Sequence, residues 1–239
     1  MGNSRYRKVI PAKPSSFQRE RGIKPPAKGI LIATEGKVTE PVYFEEIKKR
    51  LALPTVELHV AGAGIGDPAT LADEALRQQK IRRKAAKAGE LGYAQVADFD
   101  EIWIVFDTDI PQQQGKLCSG LQHAADKKVR CAHSTPCFEY WLLLHLERTT
   151  APMAKCDDVK PRLSEALSKE LKKKVRFEKN FEASNELVRP LAEKHTIAVT
   201  HAAWVRKYHE DGGTGFPCNP STEVDRLIAA VRGPGGSSC

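Results

Sequence analysis

Residues 101–109 read Glu-Ile-Trp-Ile-Val-Phe-Asp-Thr-Asp. The five apolar residues 102–106 form a run shorter than a buried helix needs, and they suit a strand covered on both faces. The run stops at Asp107-Thr108-Asp109. A second run of the same kind lies upstream, Gly-Ile-Leu-Ile-Ala-Thr over 29–34, and it stops at Glu35-Gly36.

Working outward, residues 40–53 open on Glu40-Pro41 and carry Phe44, Ile47 and Leu51 at helical spacing. Residues 55–61 alternate as a strand does. Gly62, Gly64 and Gly66 then read either as a tight turn or as a phosphate cradle. No Gly-Lys-Ser/Thr follows them, and their spacing is wrong for a dinucleotide fingerprint, which favours the turn. Asp67-Pro68 opens a helix to about Lys87, with Asp as N-cap and Pro at the first helical position. A loop and a helix lead to a strand near 128–133, and Pro136–Glu147 is a Leu-rich helix. Strands alternating with helices predict an α/β fold, a mainly parallel sheet with helices on both faces. The C-terminal part, 151–232, is mainly helical, with helices over 157–174, 182–194 and 221–232. Ser221 or Thr222 caps the last of these, and 196–205 fits either a strand or a helix. The predicted organisation is an arm (1–28), a core (29–150), a helical extension packed on it (151–232) and a tail (233–239).

The net charge is +8 over 239 residues. Residues 1–28 hold eight Lys or Arg against Glu20 alone, so the arm carries +7 and the rest +1. Such an arm either solubilises the chain or reaches for phosphates. No run approaches ~18 apolar residues, so no membrane span is expected. The basic N-terminus has no apolar core of a signal peptide, and a cytoplasmic location is expected. Tyr6 stands where a myristoylation signal has Ser or Thr. The six cysteines, 118, 131, 137, 156, 218 and 239, contain no C-x-x-C and no zinc-finger spacing, and they read as free thiols, with Cys137 in the core.

In a parallel sheet, functional groups gather beyond the carboxyl ends of the strands. Glu35 ends one apolar run there, and Asp107 and Asp109 end the other. Asp107 and Asp109 share a face in extended chain. If the two strands are neighbours, three carboxylates converge and need a cation. Mg²⁺ or Mn²⁺ suits such hard oxygen donors. Acids at strand ends also cap helices or end strands, so the pairing of the two runs carries the argument.

Four stretches carry a resemblance: Ile32–Pro41 with Tyr43-Phe44, Trp103–Asp109, Pro136–His145, and Asn219–Thr222 with Val224. Together they resemble the RloB-like family over about 29–230, whose core is similar to a Toprim fold, a Rossmann-like sheet. That resemblance implies that Glu35 is the Toprim glutamate and that Asp107 and Asp109 are the metal-binding pair. It further implies a metal-dependent nuclease acting on DNA or RNA, linked to phage defence or abortive infection and worked by an AAA/ABC-type ATPase partner. The chain has no Walker motif of its own. Two departures stand out. Pro111 occupies the place of a third acid, and Thr135 replaces the family's Asn. Glu139 is the candidate replacement ligand, or else an acid favoured by its helix dipole. Lys37 and the run Lys172-Lys173-Lys174, with Arg176 and Lys179, read either as nucleic-acid contacts or as solvated cations. His145 and Trp141 read as packed core residues. A homo-oligomer is compatible with the sequence, and so is a non-catalytic binding or regulatory module.

Overall fold

The computed structural model describes residues 28–61, 67–92, 96–108, 114–180 and 184–233. Strand β1 (Ile30–Thr34) leads to helix α1 (Thr39–Arg50), β2 (Val56–Val60) and α2 (Pro68–Ala88). Then come β3 (Glu101–Asp107), α3 (Gln114–Asp126), β4 (Arg130–Thr135) and α4 (Phe138–Leu143). Helix α5 (Cys156–Leu171), α6 (His195–Asp211), a two-residue β5 (Ser221–Thr222) and α7 (Val224–Arg232) complete the described elements. Between α5 and α6, residues 184–194 wind through a wide turn and two short, tighter ones.

The sheet order is β2-β1-β3-β4-β5, with β1 to β4 parallel and β5 antiparallel at the edge. The two most apolar runs are therefore neighbours. All five residues of β1 are buried, as are 102–106 of β3, because both strands are covered above and below. Edge strand β2 carries the mixed pattern of partial cover.

Two apolar layers flank the sheet. On one face Ile32, Trp103 and Val105 pack against Tyr43, Phe138, Trp141 and Leu227. On the other, Leu31, Ile104 and Phe106 pack against Leu71, Ala75 and Leu117. The parity of the strands decides the partition, since successive side chains point to opposite faces. Asp67 caps α2 as its position predicts, accepting the Ala69 and Thr70 backbone N–H groups. Among the described residues, no helix is long and apolar enough to cross a membrane.

Several sequence expectations need correction. Helix α4 closes after six residues, far short of Glu147. Of the two alternatives open for 196–205, the helix is the one that forms, because Ala198, Ala202 and Val205 present one buried stripe at helical spacing. Ser221 and Thr222 pair with β4 before α7 begins, although Thr222 Oγ1 still accepts the Val224 N–H. Cys137 and Cys156 are joined in a disulfide, not free thiols, because the N-terminus of α4 packs against the first residue of α5. Cys118, Cys131 and Cys218 are free. His145 is a core residue as expected. Its Nδ1–H donates to the Trp141 carbonyl, and its Nε2 accepts the Tyr43 hydroxyl at 3.0 Å. Burial holds its pKa down at about 3.

Candidate active site

The chain passes from β1 to one side of the sheet and from β3 to the other, so their carboxyl ends form the switch point where open α/β sheets bind ligands. Glu35 and Asp107 stand there. The β1–β3 ladder runs one residue past β1, with the Glu35 N–H donating to the Val105 carbonyl. Thr34 Oγ1 donates to the Gly36 carbonyl and fixes the turn that follows. The Glu35 carboxylate then reaches across, and its Oε2 accepts the Asp107 N–H at 3.3 Å.

Asp107 Oδ1 accepts the Phe138 N–H at 2.8 Å, the first free donor of α4. Thr108 N–H donates to the Ser134 and Pro136 carbonyls, and Thr108 Oγ1 donates to Thr135 Oγ1 at 2.7 Å. Thr135, the departure from the family's Asn, thus braces the segment that presents Asp107. Asp109, Pro111, the glycines at 62, 64 and 66, and residues 1–27 lie outside the described residues.

Glu139, in the first turn of α4, is fully buried. Its Oε2 lies 3.1 Å from Lys179 Nζ, and the same ammonium is 3.6 Å from Asp107 Oδ2. Glu139 Oε1 is buried with no hydrogen-bond partner. Glu139 therefore joins the site and does more than sit at a favourable helix end.

A fourth acid comes from the first turn of α1. Glu40 is buried, and its carboxylate lies so close to Gly36 that a Cβ there would overlap it. Glu35, Gly36, Lys37, Glu40, Asp107 and Lys179 line one open pocket of about 290 Å³, with Lys37 exposed at its rim.

The electrostatics follow from crowding. Burial, then Glu139 and Glu35, push the Glu40 carboxyl up to about 7, while Lys179 and the backbone at the helix start pull it down. Burial, then Glu40, Glu139 and Glu35, push Asp107 well above the usual carboxylate range, again against Lys179. Burial alone would lower the Lys179 pKa, but Glu139, Asp107 and Glu40 overcome it and raise the ammonium's pKa. The cluster is short of positive charge, and Glu40 and Asp107 hold their protons more tightly for it.

That deficit, together with the orphaned Glu139 oxygen, fits a divalent cation with oxygen ligands. The carboxylates are gathered but not closed into a coordination sphere. Among the described residues, the grouping of three donor atoms within 4.8 Å is Cys137, Glu139 and Cys156, and its two sulfurs are bonded to each other.

The three-lysine run does not line this pocket. Lys172 ends α5 in a left-handed turn, Lys173 pairs with Glu186 at 3.0 Å, and Lys174 is exposed. Lys179, read in the sequence as one more member of that basic stretch, is the residue that turns inward. Sequence reasoning missed Lys179 and Glu40 as site residues. Glu40 sits in the Thr39-Glu40-Pro41 stretch, where it reads as an ordinary helix start.

A family model described as RloB-like protein matches residues 30–231. No curated protein and no solved structure matches the chain.

Proposed function

The chain belongs to the RloB-like protein family, and from that premise we propose that it is a metal-dependent nuclease hydrolysing phosphodiester bonds in DNA or RNA. The observation that carries the reading is the meeting of Glu35 and Asp107 at the ends of two adjacent central strands, within reach of Glu40, Glu139 and Lys179. Mg²⁺ or Mn²⁺ held by Glu35 and Asp107, with Asp109 and Glu139 to complete the set, would supply Lewis-acid polarisation of the phosphodiester.

The chain's own residues do the rest. Glu35, held to the Asp107 backbone, is placed to orient water or accept its proton. Glu40, whose carboxyl is pushed up by burial and by Glu139, is a local proton store. Lys179 offsets negative charge that develops on a phosphate, and Lys37 at the rim meets the flanking phosphate. Residues 1–28 and Lys172, Lys173 and Lys174 raise the local concentration of nucleic acid. The proposal extends to an effector role in phage defence or abortive infection, held or triggered by an AAA/ABC-type ATPase, as the family resemblance implies.

One observation favours a second reading. Lys179 already neutralises part of the cluster, as it would in a non-catalytic nucleic-acid-binding or regulatory module of the same ATPase-linked complex. Labelled DNA and RNA incubated with Mg²⁺ or Mn²⁺, with and without the ATPase, separate the two. Asp107→Asn keeps an oxygen for the Phe138 N–H but removes the charge, and it is expected to lower cleavage on the order of 10³-fold. Tight binding with no cleavage under any metal, with the ATPase present, would favour the module.

A further inference from the structure

The Cys137–Cys156 bond lies against the carboxylate cluster. Cys137 directly precedes α4, whose Phe138 N–H holds Asp107 and whose Glu139 holds Lys179. Cys156 opens α5, and its Sγ is 3.0 Å from Glu139 Oε2, the same oxygen that faces the Lys179 ammonium. A sulfur in a disulfide has no hydrogen to donate, so in the bonded state that contact is not a hydrogen bond. In the reduced state the Cys156 S–H would find a carboxylate acceptor already in place.

We propose that Cys137 and Cys156 are a redox-responsive pair whose reduced form hydrogen-bonds Glu139 and competes with Lys179 for that carboxylate. Oxidation forms the Cys137–Cys156 bond. Glutathione disulfide takes up the two electrons and two protons from the thiols and leaves as two glutathione thiols. Coupling is reciprocal. Whatever engages Glu139 strengthens the disulfide state, and the disulfide state leaves Glu139 Oε2 to the ammonium or to another cation. The last consequence rests on reading the cluster as a cation site, whereas the pair and its link to Glu139 do not.

The test equilibrates the full chain in glutathione redox buffers and counts reactive thiols after denaturation. Four of the six cysteines are expected to react in the oxidised protein and all six in the reduced protein. Removing the acceptor with Glu139→Met is expected to stabilise the disulfide relative to the dithiol on the order of tenfold in the glutathione equilibrium. Lys179→Met, at a side chain 40% exposed, leaves Glu139 free to accept the thiol hydrogen and is expected to shift the same equilibrium the opposite way. Six reactive thiols at every glutathione ratio overturn the pair. A disulfide whose equilibrium is unmoved by both variants overturns its link to the cluster. Neither result depends on nuclease activity, so a protein that cleaves nothing still decides the proposal.

Discussion

Lys179 is the residue on which the charge balance of the cluster turns, and Glu40 is the residue that reports it. Glu40 ionises at about 7 in the folded protein against 4.5 for an unperturbed carboxyl. The fold therefore binds more protons than the unfolded chain between these values. This contribution to stability is complete below about 4.5 and is lost as pH rises through about 7. Asp107 acts in the same direction. The buried imidazole of His145, held down at about 3 against 6.5, acts oppositely and favours the fold as pH rises to about 6.5. Glu40 is thus best read as a difference. The stability advantage of the wild type over Glu40→Gln is expected to shrink from pH 5 to pH 8, as measured by urea midpoints without added metal. Gly36 supplies a second test at this scale. A methyl group there meets the Glu40 carboxylate, so Gly36→Ala is expected to destabilise by about 1–3 kcal/mol and to blunt that pH dependence.

At the scale of elements, α4 does more than its six residues suggest. Its N-terminus holds Asp107, its first turn carries Glu139, and Cys137 ties its start to α5 across 19 residues of sequence. Closing a loop of that size is expected to contribute about 3 kcal/mol by restricting the unfolded chain. Reducing agent should lower the urea midpoint accordingly, and Cys137→Ser with Cys156→Ser should remove the difference between the two conditions. The strands and the long helices were legible in the sequence because each is a local pattern. Five buried residues of β1, the apolar run of β3 and the Asp67-Pro68 start of α2 need no distant partner to be recognised. The short α4 and the paired Ser221-Thr222 were not legible. The first stops inside an apolar run that continues through Leu146, and the second is made by the edge of β4, far away in sequence.

For the whole molecule, the sheet order brings the carboxyl ends of β1 and β3 together while the arm keeps nearly all of the net charge. On the proposed function, binding falls to the arm and chemistry to the sheet end. Removing residues 1–27 is expected to weaken nucleic-acid affinity and to make its logarithmic salt dependence shallower by several units, with thermal melting of the body unchanged. Filter binding over a salt series measures the first effect and calorimetry the second.

The sequence by itself determined the alternation of strands and helices and the acids at two strand ends, Glu35 and Asp107, since both follow from side-chain period and from where an apolar run stops. It also determined that His145 and Trp141 belong to the core. Only the tertiary structure decided that Glu40 joins those acids, that Lys179 leaves its basic neighbours to sit between Asp107 and Glu139, and that Cys137 bonds Cys156. Residues 107 and 179 meet because α4 and the chain beyond α5 fold over one end of the sheet. A charge reveals its partner only when burial takes away the water that would otherwise serve.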